Sequence, residues 1–288
     1  MDAVVHFTEV LNKTSLASAR VARFIATELG LEIIDNANKA DKYETLIVVN
    51  SPFAFCTWRE TAKELIEKAD RYIWVQNDYA IDNPLKRKPD EIWSIIVKEG
   101  TKYINWNSLM FKPNPKPLKK KYVDGLLYYG AYRKGRIKYF EKYLKDKPYN
   151  VYILSSKNGA RQFFKLLRNK AKYFPPISDP TLLEIFAATI YLEDEISHTM
   201  NMSPANRFYE CLSSGIAMGI DPAAAHTLTK EGVKNVDKYL INDEKDVLNL
   251  IENYKNIAAE QYKLWAKDYR AELKQRLHEL WQEHKGKD

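Results

Sequence analysis

The sequence predicts an α/β protein built from two doubly wound, Rossmann-like domains and a long C-terminal helical segment. Three observations carry that expectation. Strand-like and helix-like segments alternate along most of the 288 residues, the order that builds parallel sheets covered by helices. Some strand candidates, above all Thr45-Leu46-Ile47-Val48-Val49, are continuous apolar or β-branched runs, as strands buried on both faces require. The stretch Lys112 to Lys121, rich in proline and lysine and without periodicity, divides the alternation in two, as a stiff linker would.

The first domain is expected over residues 1–111. Ala3 to Thr8 reads as a strand. Ser15 opens a helix whose Val21, Phe24, Ile25 and Leu29 share one face, and Gly30 stops it. Leu31 to Ile34, Thr45 to Val49, Arg71 to Gln76 and Tyr103 to Trp106 read as strands, and Trp58 to Ala69 as a helix. The linker takes residues 112–121, and a second domain follows over 122–241. In it Gly125 to Gly130, Asn150 to Leu154 and Ile216 to Ile220 read as strands. Gly135 to Leu144, Gly159 to Arg168 and Ala205 to Ser214 read as helices, the last stopped by Gly215. Ile185 to Leu192 is apolar enough to be a buried strand, with a helix as the alternative by periodicity. Residues 242–288 form the helical tail, where Val247, Leu250, Ile251, Tyr254 and Ala258 make an apolar stripe.

Composition narrows the class. Hydrophobic residues make up 45% and charged residues 29% of the chain, the balance of a globular protein. No run is long and apolar enough to span a bilayer, and the N-terminus shows no signal-peptide pattern, so a cytoplasmic protein without membrane attachment is expected. Cys56 and Cys211 have no metal-ligand spacing, and the five histidines form no cluster, so no metal site is expected. The net charge of +7 favours polyanionic partners, DNA among them.

Ligands of doubly wound sheets bind beyond the carboxyl ends of the strands, and three constellations are placed there. In Ser203 to Gly215, helical spacing puts Arg207, Glu210 and Ser214 on the face opposite Phe208, Cys211 and Leu212. A carboxylate so placed accepts hydrogen bonds from ribose hydroxyls, although an amphipathic helix with a surface Arg–Glu pair has the same pattern. Tyr128 to Arg136 follows a strand, holds two glycines and gathers Arg133, Lys134 and Arg136 at a helix entrance. That is a pyrophosphate cradle or a solvated basic turn. Gln76-Asn77-Asp78 ends a buried strand of the first domain, where Asp78 can take a proton from an acceptor hydroxyl or simply make a turn.

Taken together these patches resemble the GT-B glycosyltransferases, and among them the T-even bacteriophage DNA α-glucosyltransferases. Gln76-Asn77-Asp78 stands where that family has Gln-His-Asp. Gly130-Ala131-Tyr132-Arg133-Lys134-Gly135-Arg136 is similar to its Gly-Arg turn with a following Lys-Gly. Glu210-Cys211-Leu212-Ser213-Ser214-Gly215 matches its Glu-x-x-x-x-Gly, and Leu46-Ile47-Val48-Val49-Asn50-Ser51 resembles the strand before its acceptor side. Asn77 in place of the histidine departs from the family, as does Asn12-Lys13-Thr14-Ser15 in place of its glycine-rich first loop. The resemblance implies a UDP-sugar as co-substrate, no tightly bound cofactor, and double-stranded DNA with hydroxymethylated bases as acceptor. It implies Asp78 as the catalytic residue. Glu210, Arg133, Lys134, Arg136 and Arg207 would bind the donor in the second domain. Gln76, Asn77, Tyr79, Trp58 and Ser51 would lie on the acceptor side, with a flipped base as target. A GT-B enzyme with a glycan or protein acceptor, and a non-catalytic basic α/β protein that binds nucleic acid, are the alternatives.

Overall fold

The structure is a computed structural model that describes residues 1–5, 16–34, 42–49, 63–76, 87–111, 119–175, 180–194, 204–265 and 269–286. The chain forms two compact units, Met1–Leu109 with Asp268–Asp288, and Met110–Lys267.

The first unit is built on a six-stranded, wholly parallel sheet. Its strands are β1 (Ala3–Val5), β2 (Glu32–Ile34), β3 (Tyr43–Val49), β4 (Ala69–Gln76), β5 (Glu91–Ser94) and β6 (Lys102–Tyr103), in the order β2-β1-β3-β4-β5-β6. The β-branched run at Thr45–Val49 is buried throughout, as its position between β1 and β4 demands. Helix α1 (Leu16–Leu29) buries Val21 and Ile25 and ends at Gly30 with φ +66°. Glycine adopts that left-handed conformation without strain. The helix expected over Trp58 to Ala69 is described only at 63–67, and Ala69 already opens β4. The strand expected at Tyr103 to Trp106 is shorter, because Trp106–Met110 is a 3₁₀ helix. Asn105 causes this locally: its side chain accepts from Asn107 N at 3.1 Å and its carbonyl from Ser108 Oγ at 2.8 Å. Such side-chain bonds compete with a sheet ladder.

The second unit has a five-stranded parallel sheet in the order β11-β10-β7-β8-β9. Its strands are β7 (Tyr122–Tyr129), β8 (Asn150–Leu154), β9 (Ala171–Phe174), β10 (Phe186–Tyr191) and β11 (Ala217–Ile220). Between them run α2 (Ile137–Tyr143), α3 (Lys157–Leu167), α4 (Asn206–Ser213) and α5 (Pro222–Lys230). The segment left open between strand and helix is strand β10, buried at every residue between β7 and β11. The centre of the unit is aromatic, with Phe140, Phe163 and Tyr128 in edge-on or tilted contact. Strand β9 has no apolar run of its own and sits half-buried at the sheet edge.

The helical tail is three helices, α6 (Glu244–Glu252), α7 (Tyr254–Trp265) and α8 (Tyr269–Lys285). Helices α6 and α7 belong to the second unit and α8 to the first. Lys274 pairs with Glu28 of α1 at 2.8 Å, and Lys285 reaches Asp2 at 2.9 Å. Most of the expected linker, 112–118, lies outside the described residues. Its last residues are held by the second unit: Lys120 Nζ donates to Ser214 O at 3.0 Å and Lys121 N to Ile185 O at 2.7 Å. Among the described residues no helix is long and apolar enough to cross a membrane.

Candidate functional site

In the second unit, three segments that follow β7, precede α4 and follow β10 converge at one end of the sheet. Strand β7 ends in Tyr129-Gly130, where Gly130 has φ +148°. A Cβ at Gly130 would stand 3.5 Å from Nη1 of Arg207 and 3.3 Å from the Tyr128 hydroxyl, so the glycine lets the backbone pass close to that guanidinium. The chain then turns through Arg133 and a 3₁₀ turn, Lys134–Arg136, into α2.

Helix α4 carries Arg207 and Glu210. Phe208, Cys211 and Leu212 are buried, as the spacing predicted. The opposite face is not surface, however: Glu210 is 8% exposed and Ser214 4%. Glu210 Oε2 accepts a hydrogen bond from the Tyr129 hydroxyl at 2.9 Å, which fixes one carboxylate oxygen. Ser214 Oγ turns back to the carbonyl of Glu210 at 2.8 Å. Gly215 closes the helix with φ +61°. Burial and the neighbouring Glu210 push the Cys211 thiol up to about 12, so it stays neutral at ordinary pH.

The arginines form a connected network with two carboxylates just after β10. Arg207 Nη2 lies 3.2 Å from Glu193 and also donates to the Leu192 carbonyl. Arg136 Nη2 lies 3.5 Å from Glu193 and 3.3 Å from Asp194, and Arg133 Nη1 is 3.0 Å from Asp194. Three guanidinium groups thus surround two carboxylates, and the excess is cationic. Burial works against the charge of Arg207, yet Glu193, Tyr128, Tyr191 and Cys211 together outweigh it and raise the pKa above its ordinary value. The Nε atoms of Arg136 and Arg207 are buried and find no acceptor among the described residues. Burial, reinforced by Glu193, likewise raises Tyr191, whose hydroxyl donates to Glu193 and accepts from Ala205 N. This ties β10 to the start of α4.

Five of the expected donor residues are therefore described, and they are unequal. Arg133 and Lys134 are exposed at the turn, whereas Arg136 is 2% exposed. Its guanidinium pairs with Glu193 and Asp194 and donates to the Tyr128 hydroxyl. Sequence reasoning missed Tyr129 as the partner of Glu210 and missed Glu193-Asp194 altogether. Two adjacent acids after a buried apolar strand were the signal for the latter. On the expected acceptor side, only Gln76 is described. It closes β4, is buried, and its carbonyl accepts from Ile95 N at 3.2 Å. Asp78, Asn77, Tyr79, Trp58 and Ser51 lie outside the described residues. Among the described residues no three His, Cys, Asp or Glu side chains come together as metal ligands.

Two parallel, helix-covered sheets of this order also occur in solved structures. T4 phage β-glucosyltransferase in complex with UDP and Mn²⁺ matches 100% of this chain and 99% of its own, with TM-score 0.65 and 15% identity. A structure of the DNA-modifying enzyme β-glucosyltransferase, with and without its substrate UDP-glucose, matches over 97% of this chain and 98% of its own, with TM-score 0.70 and 14% identity. The fold is GT-B. A glycosyltransferase from Rickettsia africae ESF-5 shares this GT-B architecture over 99% of this chain and 97% of its own, at TM-score 0.52 and 10% identity. No protein-family model and no curated protein sequence matches the chain.

Proposed function

We propose that the protein is a glycosyltransferase that moves a sugar from a UDP-sugar to the hydroxymethyl group of a modified pyrimidine in double-stranded DNA. The observation that carries the reading is Glu210, a carboxylate held by Tyr129 at the ligand-binding edge of a GT-B domain and flanked by a cationic network. Glu210 receives the ribose hydroxyls of the donor. Arg133 and Lys134 bind the diphosphate from the exposed turn, and Arg207 supports it from inside. Arg136 holds Glu193 and Asp194 in place beneath them. Asp78 takes the proton of the acceptor hydroxyl or stabilises the charge that develops on the sugar. The DNA acceptor is supported by the net charge of +7 and by the likeness in fold to the DNA-modifying enzyme β-glucosyltransferase.

The test is sugar transfer from UDP-glucose and related donors to hydroxymethylated and unmodified duplexes, with a small glycan as a third acceptor. Transfer to hydroxymethylated DNA alone is expected. Transfer to the glycan and to neither duplex removes the DNA reading and keeps the transferase. Binding of no nucleotide sugar in a thermal-shift screen removes both, since a ligand of the folded state must raise its stability. Within an active enzyme, Asp78→Asn is expected to lower kcat by about 10²–10⁴ with donor binding unchanged. Glu210→Gln is expected to raise the donor KM roughly ten- to a hundredfold with a smaller effect on kcat.

A further inference from the structure

Helix α3 starts at the same end of the sheet as the donor turn. Strand β8, which feeds it, lies next to β7, and Gly130 N donates to Leu154 O at 3.1 Å. Ser156 caps the helix by accepting from Gly159 N at 3.1 Å, and Gly159, Phe163 and Leu167 turn inward. The outward face is basic. From Lys157 to Lys172 the sequence holds six cations and no carboxylate. Lys157, Arg161 and Lys165 are exposed and follow one another at steps of four residues, one line along the helix, and Arg168 is exposed just past its end. Phe164, 52% exposed, stands beside that line. With Asn158, Arg161, Gln162 and Lys165 it borders an open groove of about 460 Å³.

Cations repeated at this spacing repel and destabilise a helix. Nearby lysines are neutralised: Lys145 pairs with Glu141, Lys147 with Glu244 and Lys170 with Asp146. Lys157, Arg161 and Lys165 have no ion pair with any described residue. From Lys157 to Lys165 the line is about 12 Å long at 1.5 Å per residue. One DNA strand advances about 3.4 Å per phosphate along the axis, so the line can follow roughly three or four phosphates. The amides of Asn158 and Gln162 add donors for phosphate oxygens.

We infer that the exposed face of α3 is a docking surface for the phosphate backbone of the acceptor duplex. The inference rests on the DNA-acceptor reading above and moves part of the DNA grip to the donor-binding unit, beside the turn that holds the sugar nucleotide. The contact is electrostatic and independent of sequence.

The experiment measures affinity for a 20-base-pair duplex at several salt concentrations for the full chain and for the triple variants Lys157→Gln/Arg161→Gln/Lys165→Gln and Lys157→Glu/Arg161→Glu/Lys165→Glu. UDP affinity and thermal stability are measured on the same samples, and acidic lipid vesicles serve as a second polyanion. Each phosphate contact contributes about 0.9 to the slope of log K against log salt. The neutral variant is expected to lose roughly 2–3 units of slope and the reversed variant more, with UDP binding unchanged. Wild-type slope and affinity in both variants, in an enzyme that still glycosylates hydroxymethylated DNA, overturn the α3 surface and leave the DNA-acceptor reading standing. A wild-type chain that neither binds nor modifies the duplex overturns both. Losses confined to vesicle binding, with duplex binding intact, also overturn the inference.

Discussion

Glu210 shows how one side chain depends on its partner. A carboxylate that is 8% exposed is strongly desolvated, and its charge persists only where hydrogen bonds replace water. The Tyr129 hydroxyl supplies one such bond at 2.9 Å and also orients the group. Removing that bond leaves Glu210 in place with its direction less fixed. Tyr129→Phe is therefore expected to raise the donor KM about three- to tenfold, the worth of roughly 0.5–1.5 kcal/mol, with kcat nearly constant. The variant is also expected to distinguish UDP from 2′-deoxy-UDP less well than wild type, which titration calorimetry with the two nucleotides reads directly. Unchanged discrimination would mean that Tyr129 packs without positioning the carboxylate.

At the scale of the element, helix α4 is fixed at both ends by residues far away in sequence. Its start is tied to β10 through Ala205 N and the Tyr191 hydroxyl at 2.8 Å. Its end is held by Lys120, whose Nζ donates to the Ser214 carbonyl at 3.0 Å, where a helix terminus favours a cation. Burial lowers the Lys120 pKa to about 8, against the opposing pull of Glu184. A lysine with a lowered folded-state pKa makes the unfolded chain the better proton binder between about 8 and its ordinary value. Its charge thus weakens the fold below pH 8, and that penalty is relieved as pH rises toward 10.5. The stability of wild type relative to Lys120→Met is expected to increase between pH 8 and 10, as followed by denaturant titration of both proteins. A flat difference would show that the ammonium is well solvated.

For the whole molecule, the last helix belongs with the first strands. Leu273, Leu277 and Leu280 of α8 are buried in the first unit, and His284 packs against Trp281 with its ring nitrogens 3.4 Å from Glu91 and 3.5 Å from Thr45. Each buried leucine is worth about 1.5–3 kcal/mol, and a domain has only about 5–15 kcal/mol in all. A chain ending at Lys267 is expected to lose the first unit, with proteolysis falling within residues 1–109, while residues 122–265 stay protected and still bind UDP. Equal cleavage in both units would show that the second unit needs the first to fold.

The sequence by itself determined the class of fold. Continuous β-branched runs such as Thr45–Val49 can only be covered on both faces, and glycines such as Gly30 and Gly215 stop helices wherever they fall, so local chemistry suffices. It also brought out Arg207 and Glu210 as a pair, because helical spacing is a property of the chain alone. Tertiary structure decided what those residues meet. Helical periodicity gives the face of a side chain but not what covers it, so the sequence left a surface position open for Glu210 and Arg136, and both are buried. Partners such as Glu193 for Arg136 and Tyr129 for Glu210, 57 and 81 residues apart along the chain, are selected by the parallel order that sets β7 beside β10. The division of the tail has the same cause. Which unit α7 and α8 each cover depends on the surface each sheet leaves open, a non-local quantity that no window of sequence contains.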